Sequence, residues 1–127
     1  MKKLIILIEI IILILLLYVG WPEAEIQECK YYILRVTAYY PGPECTYPFN
    51  DGLTATGAIA GYGCIAIDPE GGPLRLGQRV FIEGYGYGIC NDVGSSIKGW
   101  EADVCYNTLQ EAIDWGIRLV KVYVIEE

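Results

Sequence analysis

Three aspartates stand out in a chain that contains no histidine: Asp68 in Ile65-Ala66-Ile67-Asp68-Pro69, Asp92 in Asp92-Val93-Gly94-Ser95-Ser96, and Asp103 in Ala102-Asp103-Val104. Each follows or lies within a short apolar run, so each falls where a strand gives way to a loop, and loops on a rigid sheet are where chemistry is usually carried. The lack of histidine removes Ser-His-Asp and Cys-His catalysis and the common His-containing zinc sites. Carboxylate chemistry, a thiol, or binding remains. An aspartate donates a proton near neutral pH only when burial or a neighbouring carboxylate raises its pKa. Asp68, Asp92 and Asp103, brought together, would do this for one another, while Lys98 and Arg75 are the nearby cations that would instead hold one of them ionised. The same residues also suit turns, since Asp68-Pro69 and Asp92-Val93-Gly94 are both plausible turn starts. Spacing alone leaves the two readings open.

The elements that must position these residues are short. Tyr31 to Tyr40 is rich in β-formers and ends at Pro41-Gly42-Pro43, which marks a strand stopped by a turn. After a loop over 44–52, β-like runs recur between glycines at Leu53 to Thr56, Cys64 to Ile67, Gln78 to Glu83, Tyr87 to Asn91 and Ala102 to Tyr106. Thr108-Leu109-Gln110-Glu111 is a capping box, and Gly116 supplies the stop of one short helix. Leu119 to Ile125 alternates as a last strand does. Many short strands with Gly and Pro turns imply a small closed or sandwiched β structure.

Ahead of this domain, residues 1–20 form a hydrophobic segment, Leu4 to Val19, preceded by Lys2 and Lys3 and interrupted by Glu9. It is expected to be a helix serving as a signal peptide or an N-terminal membrane anchor. The absence of a good small-residue cleavage site argues for the anchor; a run shorter than the roughly 20 residues of a span argues for cleavage. Either places the remainder outside the cytoplasm. Residues 21–30 are expected to be a linker and residues 31–127 one domain. Without residues 1–20, which carry Lys2, Lys3 and Glu9, seven basic and fifteen acidic side chains remain, a net charge of −8. That balance disfavours nucleic acid as a partner. Cys29, Cys45, Cys64, Cys90 and Cys105 all lie in the exported part, where disulfides are expected. Their wide spacing, without a CxxC pair, speaks against a zinc site; no metal or cofactor is expected.

Several stretches taken together resemble the 3D domain, a family named for three aspartates and shared with the C-terminal part of MltA-type lytic transglycosylases. They are Thr54-Ala55-Thr56-Gly57, Ile65-Ala66-Ile67-Asp68-Pro69, Pro73-Leu74-Arg75-Leu76-Gly77, Gly84-Tyr85-Gly86, Asp92 to Gly99, and Ala102-Asp103-Val104, in that order. The resemblance covers roughly residues 34 to 125 and implies a mainly β fold, a six-stranded double-psi β-barrel with one or two short helices. It also implies peptidoglycan glycan strands as the partner. The activity implied is cleavage of the β-1,4 bond between N-acetylmuramic acid and N-acetylglucosamine, leaving 1,6-anhydro ends. Asp103 resembles the acid/base, with Asp92 and Asp68 tuning it, and Thr56, Gly57, Lys98 and Trp100 are the expected substrate contacts. A non-catalytic glycan-binding module is the alternative.

Strand alternation adds one expectation about thiols. Cys90 precedes Asp92 by two residues and Cys105 follows Asp103 by two, so an antiparallel pairing of the aspartates would set Cys90 against Cys105. A Cys90–Cys105 disulfide is therefore expected, with Cys64–Cys90 as the second choice.

Overall fold

The computed structural model describes residues 1–20, 28–42 and 51–126. Cys45, most of the 21–30 linker and most of the 44–52 loop lie outside these residues. Six strands close into a barrel in the order β1-β5-β2-β4-β3-β6. They are β1 (Tyr31–Tyr39), β2 (Cys64–Ile67), β3 (Arg79–Ile82), β4 (Gly86–Val93), β5 (Glu101–Cys105) and β6 (Arg118–Glu126). Two pairs, β1 with β5 and β2 with β4, are parallel; the others are antiparallel. The expected run at Leu53 to Thr56 is not a strand but an isolated bridge, Leu53 to Ile59, inside a tight turn.

Alternation decides what fills the barrel. Leu34 and Val36 on β1, Val80 and Ile82 on β3, Val104 on β5 and Val122 on β6 are fully buried, joined by Ile65 and Ile67 of β2. Truncating one such side chain to Ala costs about 2–5 kcal/mol. Helix α2 (Leu109–Trp115, the second of two helices among the described residues) starts at Thr108, whose Oγ1 accepts from Glu111 N at 3.2 Å, as the capping box requires. It ends at Gly116, at φ 66°. The helix turns Trp115 into the core, where Nε1 donates to Val36 O at 2.9 Å and ties it to β1.

The N-terminal segment is helical as expected, α1 (Lys2–Val19). With Lys2, Lys3 and Glu9 inside it, neither it nor any other helix among the described residues is long and apolar enough to cross a membrane. The anchor expectation finds no support there.

The disulfide expectation is corrected. Cys64, Cys90 and Cys105 are buried free thiols, and Cys29 is an exposed one. The physical reason is topology: β2 lies between β4 and β5, so Asp92 and Asp103 never face each other and Cys90 never meets Cys105. Cys64–Cys90 fails as well, because β2 runs parallel to β4 with Cys64 opposite Ile89, and Cys90 is turned into the core. One step beyond the paired Ile65 and Val104 it is Cys64 and Cys105 that approach, sharing a small buried cluster with Tyr39.

Candidate functional site

Ala66 of β2 pairs with Asp92 of β4 on one side and Asp103 of β5 on the other. The two carboxylates thus stand two strand spacings apart, about 10 Å between backbones, with only a methyl group between them. A β-bulge sharpens this. Ile65 pairs with Cys90 but Ala66 pairs with Asp92, so Asn91 is an extra residue in β4 and breaks the alternation. Bulges commonly re-aim a side chain; here Cys90 stays in the core while Asp92 faces a groove of about 520 Å³. Tyr39, Thr54, Ala66, Asp92, Ser95 and Asp103 are among its lining residues.

Asp92 is clamped. Its Oδ1 accepts from Ala55 N and from its own neighbour Val93 N, each at 2.9 Å, and its Oδ2 accepts from Tyr39 Oη at 3.1 Å. Burial, first, and then the neighbouring Cys105 and Asp92 hold the Tyr39 hydroxyl well above its ordinary pKa, so it stays a donor. The Ala55 N–H is presented by a turn built around buried Thr54. Thr54 Oγ1 accepts from Ala58 N at 3.1 Å, and Thr54 O accepts from Gly57 N at 2.9 Å.

Asp103 is poised differently. It pairs with Thr37 of β1, whose Oγ1 donates to Asp103 Oδ1 at 3.0 Å, and no other side-chain bond to it is found among the described residues. Its pKa is pushed up from 3.8 to about 6. Burial is the largest cause; the bond from Thr37 works against it, and the charge of Asp92 adds to it. A half-buried carboxyl with a pKa near 6, facing an open groove, is equipped to give up a proton and to take one back.

Asp68 does not join them. Its Oδ1 accepts from Gly71 N at 3.0 Å and Glu70 N at 3.2 Å, and its Oδ2 accepts from Gly99 N at 2.8 Å. The Gly71 bond first, then the Gly99 bond, hold it below the usual carboxylate range, with Lys98 a minor contributor. This aspartate is a latch between the end of β2 and the loop before β5. The latch needs Gly72, because a Cβ there would lie 2.2 Å from Gly99 O.

Of the other expected contacts, Lys98 is exposed and lies outside the groove lining. Trp100 is 54% exposed, outside the groove lining and edge-on to Tyr32 with ring centroids 5.5 Å apart. Thr56 and Gly57 belong to the turn behind the groove: Thr56 N donates to Asn91 O at 3.2 Å, and it is Thr54 and Ala55 of the same motif that reach the lining. Thr37 carries no signal of its own in sequence, because its role exists only once β1 is known to run parallel beside β5. Tyr39 acts on the site through its hydroxyl, which donates to Asp92.

Fold and site together define a small closed β-barrel whose groove displays one clamped and one protonatable carboxylate. The chain belongs to the 3D domain family, whose model matches residues 63–126. Over 87 residues, 62% of this chain, it is 38% identical to the cell wall-binding protein YocH of Bacillus subtilis (strain 168). Over 61 residues, 48% of the chain, it is 44% identical to YabE of the same organism, a protein named for a role in cell wall shaping. The matched segments span 30% and 14% of those two proteins.

Proposed function

We propose that this barrel is an extracytoplasmic lytic transglycosylase acting on the glycan strands of peptidoglycan, with residues 1–20 as its export signal. The observation that carries this reading is Asp103, raised to about 6 and facing the groove beside Asp92. The protonated Asp103 carboxyl gives its proton to the glycosidic oxygen between N-acetylmuramic acid and N-acetylglucosamine. The C1–O bond breaks, and positive charge develops on the muramic C1 and ring oxygen. The muramic C6 hydroxyl oxygen then bonds to C1 while its proton passes to the Asp103 carboxylate, so the acid is regenerated and no water is consumed. One carboxyl serving in both steps differs from the two-carboxylate scheme of ordinary glycosidases. Asp92, fixed by Ala55, Val93 and Tyr39, supplies negative charge toward the developing cation and keeps the Asp103 proton in place. Asp68 acts as a positioning residue through Gly99. The two parallel strand pairs support the double-psi form of the barrel.

A second reading, a glycan-binding module without cleavage, is favoured by the relative named as a cell wall-binding protein. Digestion of purified peptidoglycan, with mass spectrometry of the soluble products, tests the first against the second. Products with 1,6-anhydromuramic ends, lost in Asp103→Asn, support the transglycosylase. Reducing ends would make it a muramidase, and the absence of products with retained pelleting would leave the binder.

A further inference from the structure

Away from the groove, strand pairing sets four aromatic residues in a row. Tyr31 lies opposite Tyr123, Tyr123 opposite Phe81, and Phe81 opposite Tyr87, one ring each from β1, β6, β3 and β4. Successive ring centroids are 5.6, 6.4 and 4.9 Å apart. Their strand neighbours Val80, Ile82, Gly88, Val122 and Val124 are buried, so alternation turns all four rings outward. Cross-strand aromatic pairs stabilise a sheet, yet Tyr87 is 71% and Tyr31 49% exposed, more than sheet packing requires.

Charge says what this face suits. In a chain of net charge −7, Lys121 sits at the ladder's edge with Nζ 4.9 Å from the Tyr31 ring centroid, and among the described residues no carboxylate pairs with it. The nearby Arg35 and Arg79 are matched by Glu101 and Glu126. The ladder thus combines a line of rings spaced about one pyranose apart with a lysine that makes no ion pair among the described residues, although Glu83 stands opposite it across the strands.

Its position matters too. Tyr31 and Tyr87 lie near the starts of β1 and β4, whereas Tyr39 and Asp92 lie at or near the ends of the same strands. Along β4 this is about 17 Å of extended chain, so only a polymer would engage both places at once.

We propose that Tyr31, Tyr123, Phe81 and Tyr87 form a docking platform for a carboxylate-bearing polysaccharide, the peptidoglycan glycan strand with its peptide stems. Sugar rings lay their apolar faces on the aromatic rings, and Lys121 meets a stem carboxylate. The platform is distinct from the groove; it rests on the cell wall reading only for the identity of the polymer. Two-point attachment raises the effective concentration of glycan at the groove.

The test is a pelleting isotherm of the full chain on insoluble peptidoglycan sacculi. Tyr31→Ala combined with Tyr87→Ala, both at exposed positions and checked for an unchanged thermal transition, should weaken binding by about tenfold or more. Lys121→Glu should weaken binding to intact sacculi, and the loss should shrink on sacculi whose carboxylates have been capped as neutral amides. Unchanged pelleting by the double variant would overturn the proposal. So would sedimentation showing a wild-type dimer that the double variant converts to monomer, since the face would then serve self-association. Cleavage of short soluble glycan, which needs only the groove, should be unchanged in the Tyr31→Ala, Tyr87→Ala double variant, so failure of the proposed cleavage and failure of the platform are read separately.

Discussion

Asp68, just past the end of β2, and Asp103, in the middle of the adjacent antiparallel β5, are the same residue type, and their surroundings drive them in opposite directions. Backbone N–H groups of Gly71, Gly99 and Glu70 point at Asp68 and hold its pKa down. Asp103 has a single hydroxyl donor, is withdrawn from water and has Asp92 for company, so its pKa rises to about 6. The lesson is that the count of donors and the depth of burial, not membership of a three-aspartate motif, assign the roles. Paired carboxyls whose environments separate their titration mark acid and base functions elsewhere.

The strongest way to break this contrast is to remove the proton carrier. Asp103→Asn keeps the shape and the Thr37 contact but cannot protonate a leaving oxygen. Release of anhydro products should fall by about 10²–10⁴-fold, the range for loss of a general acid, with the fold intact by circular dichroism. Near-normal activity would move the acid elsewhere. The pH dependence follows from the same group: cleavage requires protonated Asp103, so the rate should decline as pH rises through about 6. Initial rates from pH 4.5 to 8 check this, and a rate that rises across that window would contradict it.

Much of this was legible in the chain. The positions of all six strands, the capped helix at Leu109–Trp115 and the candidacy of Asp92 and Asp103, which the structure sets in one groove, follow from alternation, turn residues and motif. What alternation could not carry was strand order. The expected Cys90–Cys105 bridge assumed that β4 and β5 are neighbours, and insertion of β2 between them removes it while giving Ala66 two aspartate partners. The bulge at Asn91 was equally hidden, since one extra residue in a strand leaves no mark on a pattern read locally. The bond from Thr37 to Asp103 and the place of Trp100 outside the groove lining were hidden for a related reason: each depends on pairing across 60 or more residues.

A smaller and finer test lies in Thr37. Its hydroxyl lowers the Asp103 pKa by donating to the carboxylate at 3.0 Å. Thr37→Val keeps the β-branched shape and removes that donor, so the descending limb of the rate profile should move to higher pH with little change in the acid plateau. A purely structural role would lower the rate at every pH and leave the limb in place.

The smallest effects, and the ones that set the two aspartates most directly against each other, are on stability. Asp103 is raised in the folded state, so its contribution is fully present below the unfolded value of 3.8 and is lost as pH rises through about 6. Asp103→Asn should therefore be more stable than the wild type at pH 8, by about 1–2 kcal/mol once the lost charge-assisted bond from Thr37 is counted, and should show no such gain at pH 4. Asp68 is lowered, so its contribution is present above 3.8 and disappears as pH falls through its still lower folded value. Asp68→Ala should melt below the wild type at pH 8, with the gap closing in strong acid. Thermal melts of both variants from pH 3 to 8 should then diverge in opposite senses from the wild type as pH rises. Two curves bending the same way would mean that the latch and the acid are not chemically distinct.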